Sequence, residues 1–166
     1  MIALHDFNHL PHEKALALIH PCVALPGWAD ALVHGRPYAS RDELFSTAKS
    51  LMQNWDEAAL AQALSAHPRI GEKPAGSAAE AALSRQEQGA VNDRDTALAK
   101  ALREGNARYE ARFGRVFLIR AKGRSGEEIL QALHARLENS DAQEIRAALE
   151  QLREITLLRL EGVIHE

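Results

Sequence analysis

The chain predicts an all-α fold: a bundle of about eight helices with one short extended connector. Three observations point there. Alanine, leucine, glutamate and arginine dominate the sequence and β-branched runs are scarce, which is helix-forming material. Helix start signals recur along the chain, each able to satisfy backbone N–H groups that a helix leaves unpaired. Only Val116-Phe117-Leu118-Ile119 is strand-like, and it has no evident partner, so it reads as a buried extended connector.

Taken in order, Pro11 starts a helix running to about His20, because proline's missing N–H costs nothing in a first turn. Pro26 starts a short helix that ends before Gly35. Ser40 with Glu43 forms a capping box, two side chains that satisfy each other's backbone N–H, and opens a helix to about Gln53. Asp56 caps the next, to about Ser65. His67-Pro68 breaks it, since proline disfavours α geometry in the residue before it. Ser77 with Glu80 is a second box, and Gly89 is its stop. A long helix follows from about Asp93 to Phe113 and ends at Gly114. Ser125 with Glu128, and Asp141 with Glu144, open the last two helices. The stretch from Ala66 to Gly76, with Pro68, Gly71, Pro74 and Gly76, has the length of a functional loop. No repeat or linker interrupts the chain, so residues 1–166 read as one domain.

Charge and composition exclude several classes. The 20 Lys and Arg against 23 Asp and Glu leave a formal charge of -3, without the basic stripe of a nucleic-acid binder or a membrane-surface protein. No apolar stretch approaches the roughly 20 residues that span a bilayer. Cys22 is the only cysteine, so no internal disulfide forms, and a reducing compartment is the natural reading. Neither a signal peptide at the N-terminus nor a Ser-Lys-Leu address at the C-terminus is present, which leaves the cytoplasm as the expected location. Phosphate-binding glycine loops, nucleophile elbows and His-Glu-x-x-His zinc motifs are absent from the sequence. His5, His9 and His12 cluster loosely but lack a fourth ligand, and read as exposed or capping histidines. Trp28 and Trp55 read as packing residues.

A few residues stand out of place. Ile145, Leu152 and Arg159 are spaced by seven and lie along one row of the last helix, flanked by Ala148, Leu149, Ile155 and Thr156. Arg159 thus continues an inward apolar stripe, where a guanidinium needs an anion or several acceptors. It is either a snorkelling or structurally paired arginine, or an anion binder in a cleft. Ser84, Glu87 and Gln88 share one helix face, either solvated or lining a pocket. His67 leaves a helix end in extended geometry at a loop mouth, either as an ordinary histidine or as a proton-transfer group. These residues alone read as a helical domain with a candidate polar cleft.

The motifs go further than spacing does. His67-Pro68-Arg69-Ile70-Gly71 resembles the His-Pro-x-Ile/Leu-Gly signature of the decarboxylases of 2-oxo-4-hydroxy-4-carboxy-5-ureidoimidazoline (OHCU). Ser84-Arg85-Gln86-Glu87-Gln88 resembles that family's Ser-x-x-Glu-Gln helix motif. Asn106, Tyr109, Phe113 and Gly114 match its Asn-x-x-Tyr-x-x-x-Phe-Gly segment. Val116–Ile119 and Gly123-Arg124-Ser125 resemble its connector and glycine turn, and Arg136-Leu137-Glu138-Asn139 and Arg159-Leu160 its late Arg-Leu motifs. Trp28 and Arg36-Pro37-Tyr38 look like its N-terminal landmarks. The resemblance runs in order through nearly the whole chain. Two departures are Arg115, where the family often has an aromatic, and an Ala-rich segment before Ser84; the first bears on pocket packing.

The resemblance implies a small enzyme of urate degradation that decarboxylates OHCU to (S)-allantoin and CO2. It implies His67 and Glu87 as catalytic residues, with His67 as a general acid/base titrating near neutral pH. It implies substrate contacts from Pro68, Ser84, Arg85, Gln86, Gln88 and Arg159, and from the run Ile119, Arg120, Ala121, Lys122 and Gly123, chiefly through backbone groups. It implies no metal and no organic cofactor, because OHCU is a β-imino acid whose C=N bond receives the electrons that CO2 leaves behind. It also implies a homodimer, a small-molecule ureidoimidazoline as partner, and neither nucleic acid nor membrane. Rival readings are a helical interaction domain, which needs an exposed apolar groove, and a helix-turn-helix DNA binder, which the acidic balance disfavours. Among enzymes, the nearest alternative is a ureide hydrolase or lyase releasing urea or ammonia.

Overall fold

The computed structural model describes residues 1–67, Leu83, Glu87 and 96–166. Among them run eight α-helices: α1 (Leu4–His9), α2 (His12–Ile19), α3 (Pro26–His34), α4 (Arg41–Leu51), α5 (Glu57–Leu64), α6 (Thr96–Phe113), α7 (Gly126–Arg136) and α8 (Asp141–Val163). A 3-10 turn, His20–Cys22, follows α2. The fold is all-α, as the composition predicts.

Most start signals act as read. Ser40 Oγ accepts the Glu43 N–H at 3.1 Å, while the Glu43 carboxylate reaches one residue further out, to the Ala39 N–H at 2.7 Å. Asp56 accepts the Ala59 N–H. Ser125 and Glu128 form the full reciprocal box. Gly114 closes α6 at φ +71, a left-handed turn that favours glycine. The expected start at Asp93, the Ser77–Glu80 box and the Gly89 stop lie outside the described residues.

The Asp141–Glu144 box is corrected. The cap of α8 is one residue earlier: Ser140 Oγ accepts the Gln143 N–H at 3.2 Å, and Gln143 Oε1 accepts the Ser140 N–H at 2.9 Å. Glu144 is unavailable for capping because it is fully buried. Its Oε1 accepts from Tyr109 Oη at 2.5 Å and from Arg136 Nε at 2.8 Å, and its Oε2 from Asn139 Nδ2 at 3.0 Å. A buried carboxylate is tolerable only with such charge-assisted partners. Burial and the Glu144 carboxylate together push the Tyr109 phenol well above its usual range.

Two further elements escape sequence patterns. The chain ends pair as two-residue parallel strands, β1 (Ile2–Ala3) and β2 (Ile164–His165), with Ile2 opposite Ile164. A pairing so short has no periodicity to read. The six-residue α1 buries Leu4 and Phe7, and the landmark segment Arg36-Pro37-Tyr38 holds it in place. Arg36 Nη1 donates to the carbonyls of Phe7 and Leu10, both at 2.8 Å, placing a cation on the helix's last carbonyls. Asn8 pairs with both backbone groups of Tyr38.

Among the described residues the core divides into two apolar clusters. One joins α1–α5 to the inner face of α8, and holds Trp28 edge-on to Trp55, with the Trp28 indole N–H on the Ala48 carbonyl. The other joins α6 to α7. The extended connector runs between them. Successive side chains of an extended strand alternate in direction, and here Phe117, Ile119 and Ala121 enter the α6–α7 cluster while Leu118 enters the other. Arg136 also donates to the Leu118 carbonyl, so the Glu144 cluster ties the connector to the start of α8.

Candidate active site

Along the inward row on α8, Ile145 is half-buried, Leu152 wholly buried and Arg159 nearly so. Arg159 finds its anion in Glu87, a helical residue far away in sequence. The two meet side-on, Arg159 Nε to Glu87 Oε2 at 2.8 Å and Nη2 to Oε1 at 2.9 Å. This two-point geometry suits a planar guanidinium and not a lysine. Arg159 Nη1 lies 3.4 Å from the carbonyls of Pro21 and Cys22, so the 3-10 turn after α2 backs the pair.

The pair borders a cavity of about 270 Å³. Its charged wall is Glu87, Arg159 and Lys122. Its apolar wall is Leu83 with Leu158 and Val163, and Gly162 lies between them in the last turn of α8. The volume falls just below the roughly 300–1,000 Å³ of drug-sized pockets and suits a compact polar ligand.

His67 follows the end of α5, its N–H on the Leu64 carbonyl. Its Nε2 is shielded from solvent. Burial, and after it the positive field of Arg159, pull the imidazole down from 6.5 to about 3. The expectation that His67 titrates near neutral pH is therefore corrected: it is a neutral imidazole there. His67 is not among the described cavity walls; its link to the pair is the electrostatic one through Arg159.

Of the connector run expected at the site, Lys122 alone lines the cavity among the described residues. Ile119 and Ala121 point into the α6–α7 cluster. The Arg120 N–H donates to Gln151 Oε1 at 2.9 Å, and the Arg120 guanidinium stands 2.8 Å from Glu154. The carbonyls of Arg120 and Ala121 accept from Arg124. Gly123, at φ +81, turns the chain into α7. Pro68, Ser84, Arg85, Gln86 and Gln88 lie outside the described residues.

Residues 8–161 match the family model for OHCU decarboxylase. The chain belongs to the OHCU decarboxylase family. An OHCU decarboxylase of Amia calva is 32% identical over 97% of this chain and 94% of its own length. One of Haloferax volcanii is 28% identical over 96% of this chain and 94% of its own. A crystal structure of OHCU decarboxylase in the presence of (S)-allantoin superposes with a TM-score of 0.72 at 26% identity, covering 88% of this chain and 96% of that one. A structure of (S)-allantoin synthase shares the fold, with a TM-score of 0.74 at 19% identity over 99% of this chain and 54% of that one.

Within this member of the family, several landmark residues are structural. Arg36, Tyr109, Arg136 and Asn139 hold backbone or the buried Glu144. Arg115, the departure from the family pattern, pairs with Glu57 of α5 at 3.3 Å and is not among the described cavity walls. The loose histidine cluster separates: His5 and His9 stack on α1, while His12 meets His34 edge-on. Sequence reasoning missed Glu144, although it stands four residues before Ala148 on the buried row of α8. It also missed Leu83, Leu158, Gly162 and Val163 as cavity walls, and apolar or small side chains carry no signal that separates a wall from a core. No described helix is long and apolar enough to cross a membrane.

Proposed function

We propose that OHCU is decarboxylated in the cavity beside the Glu87–Arg159 pair, and that His67 and Glu87 are the catalytic residues. The carrying observation is the two-point ion pair on the wall of a small cavity, with a neutral imidazole held in the field of the same arginine. That the enzyme converts OHCU to (S)-allantoin and CO2 in urate degradation follows from its family and near full-length relatives.

The substrate sets the demands on the protein. Its carboxylate sits on a ring carbon that also carries a hydroxyl, next to a C=N carbon bearing the ureido arm. When the bond to CO2 breaks, its electron pair forms a C=C bond, and the displaced C=N pair moves to the ring nitrogen, which takes up a proton. The enol-like intermediate then loses its hydroxyl proton while the ureido-bearing carbon gains one. The protein must orient the carboxylate, balance charge and deliver that last proton to one face.

A neutral His67 has its lone pair free for the base half of this exchange, and the bound carboxylate offsets the field of Arg159 and raises its basicity: it accepts the hydroxyl proton and returns it to carbon. Glu87 keeps lone pairs beyond those facing Arg159, and these accept ring or ureido N–H groups. Arg159 and Lys122 supply the positive field for the departing carboxylate. Ser84 and Gln88 anchor the ureido arm, Pro68 fixes the His67 turn, and Arg85, Gln86 and the run from Ile119 to Gly123 complete the surroundings. These assignments rest on the family motifs. So does a homodimer; the one-domain reading of residues 1–166 rests on length and the lack of a linker, and the cytoplasmic location is consistent with the single cysteine.

The test is chirality. Freshly generated OHCU mixed with the enzyme should give optically active allantoin, followed by circular dichroism. His67→Ala should leave only the slow racemic background of spontaneous decay. Fast chiral product from that variant removes His67 from the mechanism, and an inert wild-type protein ends the reading altogether.

A further inference from the structure

We propose that Gly162 is a specificity-determining position, whose missing side chain leaves the room that the substrate occupies against the last turn of α8. The inference rests on the reading of the cavity given above. Glycine is a poor helix former, so one inside a helix calls for a reason. Two of the described glycines have one in their backbone: Gly114 and Gly123 adopt positive φ. Three have one in packing. A Cβ would stand 2.4 Å from Tyr38 Oη at Gly35, 2.5 Å from a Leu133 methyl at Gly105 and 2.4 Å from a Leu98 methyl at Gly126.

Gly162 has neither reason. It is helical, its φ is not positive, and no described atom lies within 4 Å of a Cβ built on it. What it does have is a place on the cavity wall, at its exposed rim in the last turn of α8. It sits three residues after Arg159 and four after Leu158, on the same helix face. Helical side chains lean back toward the N-terminus, so any side chain at 162 would reach over those two residues. It would then enter the space bounded by the Glu87–Arg159 pair and Lys122. In a cavity of about 270 Å³ each added methylene displaces ligand volume. Gly27 has similar open space, but it borders a groove of about 470 Å³ with no charged side chain among its described walls. The chemistry beside Gly162 therefore fits a flat, compact ring bearing a carboxylate.

The experiment compares wild type, Gly162→Ala and Gly162→Leu by steady-state kinetics on freshly generated OHCU, titration with (S)-allantoin, and thermal melting. Alanine should raise KM by a few-fold and leave Tm equal or higher, because it is the better helix former. Leucine should raise KM and weaken allantoin binding by about tenfold or more, with Tm not lowered. An active wild type alongside a Leu variant with unchanged KM and allantoin affinity overturns the proposal alone. So does a Tm that drops with leucine, since protein and not ligand would then fill the space. A wild type inert toward OHCU fails the functional reading first and takes this inference with it.

Discussion

Arg159 and Glu87 stand 72 positions apart in the chain and meet as a two-point ion pair, with Arg159's side chain 1% exposed and Glu87's 17%. Both members line the cavity and Arg159 is also buried in the inner face of α8, so the pair is both part of the packing of α8 and part of the site wall.

Breaking this pair from either side should therefore show in stability and in rate. Glu87→Gln keeps the shape and removes the charge; losing one partner of a buried pair costs about 3 kcal/mol. Urea denaturation should show that loss, and kcat/KM should fall at least about tenfold. Arg159→Lys keeps the charge and loses the fork, and should also lower kcat/KM. Unchanged kinetics in the lysine variant would assign Arg159 a structural role only, and a near-normal rate with glutamine would reject a role for the Glu87 charge.

The pH dependence follows from His67. Its folded value of about 3 lies below the 6.5 of an unperturbed histidine, so between the two the unfolded chain carries the extra proton. The contribution to stability is thus full above about pH 6.5 and falls as pH drops toward 3, by up to about 1.4 kcal/mol per pH unit. His67→Gln should flatten that part of the stability profile in acid denaturation. In wild type, kcat/KM should show no acid limb from His67 near pH 6.5, because this parameter reports the free enzyme. A limb centred there, with the His67 imidazole titrating near 6.5 by NMR, would contradict the neutral imidazole.

Glu144 should matter for folding more than for the site. Glu144→Ala strands the Arg136 guanidinium and the Tyr109 hydroxyl in the interior, a loss of about 3–5 kcal/mol. Tyr109→Phe removes a single hydrogen bond to a charged group, about 1.5–3 kcal/mol. Denaturant midpoints measure both. If Glu144→Ala matched wild type, the carboxylate would not be holding the connector against α8.

The cap of α8 offers a direct check on its register. Ser140→Ala should lose about 1 kcal/mol, read as a lower melting temperature. Asp141→Ala removes only an acidic residue near the helix start, about 0.3–1 kcal/mol. A larger effect at Asp141 than at Ser140 would restore the box one residue later.

Local signals were the most legible part of this molecule. Asp56, Ser125 and Gly114 act as read, and Ser40 caps its helix without the full box, because a cap or a left-handed turn depends on a few neighbouring residues. The seven-residue spacing of Ile145, Leu152 and Arg159 placed a charge on a buried face for the same reason: helical period is local. Glu144 was misread as a cap because a glutamate three residues after an aspartate fits that pattern, while its true partners come from α6, α7 and the turn after α7. Cavity walls such as Leu158 and Val163 were invisible, since an apolar residue looks the same beside a cavity as in a core.

The sequence by itself determined the helical fold, the family, and which imidazole, carboxylate and guanidinium to watch, because motif order and helical period are properties of the chain read in line. Only the tertiary structure decided that Glu87 is Arg159's anion and that burial and Arg159 hold the His67 imidazole below its usual range. It alone also placed Gly162 on the cavity rim with no described atom near the position of a Cβ. Those outcomes depend on distance, burial and field between segments remote in the chain, and the energy of a charge is set by what surrounds it in space.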